Sequence, residues 1–198
     1  VGDIDTMMTL SSSAVMLSSV GTYEIMLSGG NDNNYNISSY LPGTLTINKA
    51  NLTALADNKF KEYGEINPEL TISFEGFKGT DDFSSLSEQL IISTQATQFS
   101  DVGNYEIVLE GGFDENYEIV SLTNGKLSIN KAPLSLKADD LVKAYGTPNP
   151  DLTITFDGFK GSDSSFDLDN QAFIYTNADM YSNVGIYDIF LSIGDDNN

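Results

Sequence analysis

The sequence predicts an all-β chain of tandem immunoglobulin-like antiparallel β-sandwiches in a linear array. Three observations carry that reading: apolar and polar residues alternate with the period of a strand, turn residues recur every 8 to 12 positions or so, and the chain repeats itself. The repeat bears on everything else. Ile47-Asn48-Lys49-Ala50 returns as Ile129-Asn130-Lys131-Ala132, an offset of 82 residues. The same offset carries Tyr63-Gly64 onto Tyr145-Gly146, Asn67-Pro68 onto Asn149-Pro150, Gly76-Phe77-Lys78-Gly79 onto Gly158-Phe159-Lys160-Gly161, and Val20-Gly21 onto Val102-Gly103 and Val184-Gly185. About half of the positions shared by 51–116 and 133–198 are identical, without a gap.

This register divides the chain into residues 1–50, the C-terminal part of one repeat, residues 51–132, a complete repeat, and residues 133–198, the N-terminal part of the next. A part-sandwich exposes its core, so the segment is expected to be a window onto a much longer repetitive protein. Two other readings stand beside that one. The segment boundaries bear no relation to the units, or the part-units complete one another between molecules by strand donation.

Within the complete repeat, strands are expected near 51–57, 59–63, 69–76, 89–96, 103–110, 115–121 and 126–131. Leu70, Ile72 and Phe74 share one face, as do Tyr105, Ile107 and Leu109, then Tyr117 with Ile119, then Leu127 with Ile129. Seven strands in this length suit a two-sheet sandwich. Asp101-Val102-Gly103-Asn104-Tyr105 has the spacing of a tyrosine corner, a buried hydroxyl tied to backbone, and Tyr23 and Tyr187 hold the same place in the flanking segments. The plainer alternative is an inward-facing strand tyrosine. At Tyr63-Gly64 the glycine suits a turn with positive φ, and Pro68 bars helix at Asn67.

The run Tyr-Gly-x-x-Asn-Pro-x-Leu from Tyr63 to Leu70, then Gly-Phe-x-x-Gly-like residues from Gly76, Val-Gly-x-Tyr-x-Ile from Val102, Asn116-Tyr117 and finally Leu-x-Ile-x-Lys-Ala from Leu127 resembles the MBG domain of the YGX type. The likeness spans essentially the whole chain in register, with Tyr63, Gly64, Asn67 and Pro68 matched by Tyr145, Gly146, Asn149 and Pro150. It implies immunoglobulin-like repeats of large bacterial surface proteins and adhesins, hence an extracellular, cell-surface setting. It brings no catalytic residues.

Charge and composition narrow the function classes. The 198 residues carry 29 acidic against 9 basic side chains, all of the latter Lys, for a formal charge of -20. With no Arg fork and this sign, nucleic acid is excluded as a partner. His, Cys and Trp are absent, which removes the commonest general base, the thiol nucleophile and soft metal ligands. No apolar run reaches the roughly 18 residues of a membrane-spanning helix, so membrane insertion is not expected. No enzyme is expected and no cofactor. At the repeat boundary Ala132-Pro133 leads straight into Leu134-Ser135-Leu136, with Asn51 in the place of Pro133 at the other boundary. So short a join predicts limited bending, an extended spacer, and neighbouring repeats of the same chain as the first partners. A net charge of about -9 on the complete repeat keeps neighbours apart and solvated.

Candidate sites come down to oxygen-rich loops, rings and two lysines. Calcium takes six to eight oxygens, and Asp32 with Asn34, Asp114-Glu115-Asn116, and Asp195-Asp196 recur at one position of the repeat. The competing reading is a hairpin in which Asn and Asp suit the turn. Asp81-Asp82 and Asp163 form a second acidic turn, and Lys49 and Lys131 sit where a metal at the junction would. Phe77 and Phe159, between glycines, are glycan-platform candidates or plugs for the sandwich end. Phe113, Tyr40 and Tyr181 have no aromatic match in every repeat. Lys61 and Lys143 are read as lysines facing water or as partners of Asn in an amide crosslink. The leading function is therefore a stalk or filament segment of an adhesin. The alternatives are a repeated weak binder of a glycan or host protein, other filaments or a surface ligand, gaining by avidity, and a calcium-stiffened rod.

Overall fold

The computed structural model describes residues 5–192. It is all-β, with 46% of the described residues in strands, and the helical pieces among them are the 3-10 turns Phe83–Ser85 and Ser165–Asp167. The strands are β1 (Thr6–Ser12), β2 (Gly21–Asn31), β3 (Gly43–Ile47), β4 (Ala50–Ala56), β5 (Lys59–Glu62), β6 (Ile72–Glu75), β7 (Glu88–Thr94), β8 (Gly103–Phe113), β9 (Tyr117–Thr123), β10 (Gly125–Asn130), β11 (Ser135–Ala138), β12 (Ile154–Asp157), β13 (Phe173–Thr176) and β14 (Ile189–Ser192). Seven of them, β4 to β10, belong to the complete repeat. The third strand is shorter than its apolar alternation suggests, because pairing begins only at Ile72, beyond the bend at Asn67-Pro68.

By contacts the chain falls into two units. The first comprises Val1–Asp57, Thr71–Ser93 and Val108–Asn124, the second Asn58–Leu70, Thr94–Ile107 and Gly125–Asn198. In the first unit β1-β2-β3 form one sheet and β6-β4-β9 another. In the second unit β10 pairs with β5 on one side and with the first half of β8 on the other, and β11 with β12 and β13 with β14 make two-stranded ladders. Strand β8 runs on into the first unit, where β7 is its neighbour.

Not every pairing is antiparallel, which departs from the expectation for the sandwich. Strand β10 runs parallel to β5, with Leu127 opposite Lys59, and β9 runs parallel to β4, with Ala50 opposite Tyr117. A parallel pair needs a long crossover, and here almost the whole repeat serves as one. The first strand can pair with both late strands because the chain changes sheets between Ala56 and Lys59. Side chains staple that corner. The Asp57 carboxylate accepts hydrogen bonds from Thr71 Oγ1 and from Ser73 Oγ at 2.7 Å, and Asn58 Oδ1 accepts from Lys126 N at 2.8 Å. Asp139 repeats the staple with Thr153 Oγ1 at 2.6 Å and Thr155 Oγ1 at 2.7 Å, hydroxyls that hold its carboxyl below the usual carboxylate range.

Burial follows the alternating pattern. In the first unit Leu52, Leu86 and Tyr117 form a core cluster, with Ala50, Phe74, Phe77, Phe83 and Ile119 packed around it. In the second unit Ile107 and Leu127 are fully buried and Ile129 nearly so. Each such side chain contributes about 1.5–3 kcal/mol by leaving water. The same sequence position behaves differently in the first segment: Leu45, the counterpart of Leu127, is 41% exposed, since β3 pairs with β2 alone among the described residues.

That contrast gives a direct test. Leu127→Ala should destabilise the repeat by about 2–5 kcal/mol and Leu45→Ala by less than about 1 kcal/mol, read as shifts in urea midpoint.

Candidate functional site: two loops that meet where repeats join

The Tyr-Gly-x-x-Asn-Pro loop is held from beneath by a buried cation. Lys61 lies on the inward side of β5 and is only 4% exposed. Its Nζ donates to three backbone carbonyls, Glu65 O at 2.8 Å, Thr97 O at 2.7 Å and Gln98 O at 3.0 Å. Those are the three donors an ammonium has. Burial pushes its pKa below the ordinary lysine value, with Glu65 opposing. Lys61 is thus neither a lysine facing water nor bonded to an Asn side chain. Its ammonium clamps the loop at 63–68 to the loop at 96–100. Lys143 bonds Thr147 O at 3.1 Å and Asp179 O in the same way.

Further bonds fix the two loops together. Asn67 Nδ2 donates to Ala96 O at 2.6 Å, Asn149 Nδ2 to Ala178 O at 2.6 Å, and Gln98 Nε2 to Gly64 O at 2.8 Å. Asn67 Oδ1 is buried without a protein partner. Pro68 is half-buried beside it, whereas Pro150 is exposed. Gly64 and Gly146 turn the chain at φ +82° and +81°. The Tyr63 and Phe99 rings meet edge to face at 6.3 Å.

A second loop rests on this one. A Cβ added to Gly64 would lie 2.5 Å from Lys160 Cβ, and one added to Gly161 would lie 2.7 Å from the Phe99 ring. The Gly-Phe-Lys-Gly loop of the last segment therefore packs on the Tyr-Gly end of the complete repeat. The contact recurs one period earlier, in the first unit, where a Cβ on Gly79 would lie 2.9 Å from Leu17, the counterpart of Phe99. In both cases a glycine meets an apolar side chain of the preceding segment. The loop itself is braced by Tyr117, 5% exposed, whose Oη accepts from Lys78 N at 2.8 Å and donates to Asp81 Oδ2 at 2.7 Å. Burial and the Asp81 carboxylate raise the Tyr117 pKa. Phe77 packs on Tyr117 at 5.3 Å and on Phe74 at 5.2 Å, and Phe159 on Phe156 at 5.4 Å. Half-buried as they are, Phe77 and Phe159 make no open platform.

The Asp114-Glu115-Asn116 loop also serves the first join. Asp114 is 6% exposed; Oδ1 accepts from Asn116 N and Tyr117 N, Oδ2 from Ser87 N and Oγ. Desolvation works to raise its pKa, but these four hydrogen bonds win and lower it. Asn116 Oδ1 accepts from Val20 N at 2.9 Å, and Lys49 Nζ donates to Asp114 O at 2.7 Å while lying 5.0 Å from the centre of the Phe113 ring. Glu115 is exposed. In the first segment Asp32 Oδ1 accepts from Asn34 N and Tyr35 N, the same turn. Asp195 and Asp196 lie outside the described residues. Asp82 caps a 3-10 turn and Asp163 N bonds Lys160 O. Among the described residues no three acidic side chains gather as a metal site.

The three corner tyrosines make one bond each, four residues upstream: Tyr23 Oη to Ser19 O at 2.8 Å, Tyr105 Oη to Asp101 O at 2.9 Å and Tyr187 Oη to Asn183 O at 2.9 Å. Tyr23 and Tyr105 are half-buried and Tyr187 is exposed. Sequence reasoning missed Lys61 as a clamp, missed Leu17 and Phe99, and saw Lys160 only as part of the repeat and not as a contact. The signal present was that Lys61 and Lys143 share the offset with Tyr63-Gly64 and Tyr145-Gly146.

Two substitutions probe these elements. Lys61→Met strands three carbonyls and should cost about 2–4 kcal/mol in urea unfolding. Asp114→Ala should cost about 2 kcal/mol at pH 7. Because the folded carboxyl titrates below its unfolded value of about 4, that contribution is fully present above pH 4 and is lost as pH falls through the depressed value. The stability gap between Asp114→Ala and the parent should therefore close on acidification.

Comparison with known proteins adds one finding. The family described as MBG domain (YGX type) matches residues 1–46, 52–128 and 134–198, three successive copies with short gaps between them. No curated protein matches the chain. No solved structure matches it either. With its Tyr-Gly loops, Gly-Phe-Lys-Gly loops and three matched segments, the chain belongs to the MBG domain family of the YGX type.

Proposed function

We propose that the chain is a spacer, a stalk or filament segment of a repetitive bacterial cell-surface adhesin that holds a binding part away from the cell. The family is one of repeated domains of surface proteins, and its repeats are structural modules rather than enzymes. The observation that carries the proposal is the packing of a glycine loop on an apolar residue of the preceding segment, at Gly79 on Leu17 and again at Gly161 on Phe99. A join without linker residues, Ala132-Pro133, adds to it by leaving little backbone free to rotate. Mechanism here means stiffness and length, and the residues that carry it are those of the two loops.

Two features weigh against the other readings. A binder working by avidity needs the same site in each repeat, whereas the exposed row Phe173, Tyr175 and Phe190 corresponds to Ile91, Ser93 and Val108 in the complete repeat. A calcium-stiffened rod needs free carboxylate oxygens at the join, whereas both oxygens of Asp114 already accept two hydrogen bonds and the Lys49 ammonium lies on its carbonyl.

Small-angle scattering with and without a calcium chelator tests the proposal. A spacer stiffened by its own loops should give one elongated envelope in both conditions. A flexible profile, or one that stiffens only with calcium, would contradict it.

A further inference from the structure

We infer that β7 is a self-pairing edge, where a second copy of this chain adds its own β7 antiparallel to the sheet. A strand at the end of a sheet presents unpaired N–H and C=O groups, and proteins that do not pair there blunt the edge with charge, shortness or a bulge. Among the described residues the complete repeat has four such ends, because its two sheets run β5-β10-β8-β7 and β6-β4-β9. Three of them are blunted. Strand β5 is charged at three of its four residues, and Lys61 among these points inward at 4% exposure. Strand β6 has only four residues and ends on Glu75, while β9 carries Glu118 and a register shift between Ile119 and Ser121. Strand β7 is the exception: it has seven residues, and none after Glu88 is charged.

The same gap in the charge recurs at this position of every segment. Residues 6–23, 89–100 and 170–178 hold no charged side chain, in a chain whose formal charge is -20. The strands in these runs, β1, β7 and β13, each have one sheet neighbour among the described residues: β2, β8 and β14. Their side chains differ, with Thr9, Ile91 and Phe173 at the matched position. What the three share is the absence of charge, which suits pairing through backbone hydrogen bonds rather than through fitted side-chain pockets. Two features make a second copy the occupant. The rest of each repeat is strongly acidic, so two such chains repel one another least along this run. The strand is also complementary to itself. Paired antiparallel about Ile91, Gln89 meets Ser93, Leu90 meets Ile92 and Glu88 meets Thr94, so no two carboxylates are opposed.

Sedimentation velocity on the whole chain, at low and at high NaCl, tests the inference. Going from about 10 mM to about 1 M salt shortens the screening length from about 30 Å to about 3 Å, so repulsion fades and the mass should rise about twofold, from monomer to dimer. Because the run recurs, Thr9→Lys, Ile91→Lys and Phe173→Lys are combined in one variant, which should stay monomeric at both salt concentrations. Ile91→Lys alone, at a side chain 64% exposed, should lower the dimer fraction in the same direction without unfolding the repeat. Phe60→Lys with Val142→Lys makes the same kind of change at exposed residues matched to the β5 edge, and this control should dimerise as the parent does. Each set lowers the net negative charge, so a general charge effect would favour association in all of them. Unchanged urea midpoints report an intact fold. A parent that stays monomeric at high salt would overturn self-pairing and leave this edge to a strand of a foreign protein. A dimer lost equally in the control, or retained in the triple variant, would overturn it by placing the contact elsewhere. The spacer reading survives either result, since it rests on packing within one chain.

Discussion

One buried ammonium organises the functional end of the repeat. The loop that begins at Tyr63 and the loop that ends at Ser100 are tied together by Lys61, because the three carbonyls it gathers belong to both. Removing a cation from water is expensive, so the arrangement holds only because every ammonium proton finds an oxygen. Once held, the loops present Gly64 and Phe99 together as one surface. The Tyr-Gly motif is then more than a turn. It is the upper face of a clamp, and the clamp sets where the next loop can rest.

The complementary loop is prepared in a different way. Tyr117 closes over Phe77 and bonds both Lys78 N and Asp81, so the glycine that must approach the neighbour sits on a braced backbone. Electrostatics between repeats oppose the contact, since each repeat is strongly acidic, but at physiological salt such repulsion is screened beyond about 8 Å. Short-range packing decides the join locally, and charge keeps separate molecules soluble and apart. The same division explains the Asp114 loop. Its carboxylate is spent on the turn, which leaves its carbonyl to Lys49 and the Asn116 amide to the preceding segment.

Much of this was legible from the sequence, for identifiable reasons. Strand positions followed from the alternation at Leu70, Ile72 and Phe74 and at Tyr105, Ile107 and Leu109, because one face of each strand is buried. Repeated glycines marked the turns, and Gly64 and Gly146 do have positive φ. Pairing direction was not legible. The parallel ladders of β5 with β10 and β4 with β9 join residues more than 60 positions apart, and nothing local encodes which edge a strand meets. Lys61 was misread because a lysine in the charged run Lys59-Phe60-Lys61-Glu62 looks solvated, while its burial depends on carbonyls contributed from 36 and 37 residues away. Phe99 and Leu17 were invisible for a related reason: an apolar residue that varies between repeats reads as surface noise until its glycine partner is seen.

The central claim is that loop-on-seat packing fixes one repeat against the next, and a spin-label distance distribution across a join tests it most directly. With no native Cys, labels at Lys126→Cys and Phe166→Cys, both in the second unit, are the only thiols. The expected result is one narrow distance peak that broadens in Gly161→Leu, where a side chain must displace the Phe99 ring. A distribution already broad in the parent chain, or one that Gly161→Leu leaves unchanged, would contradict the claim.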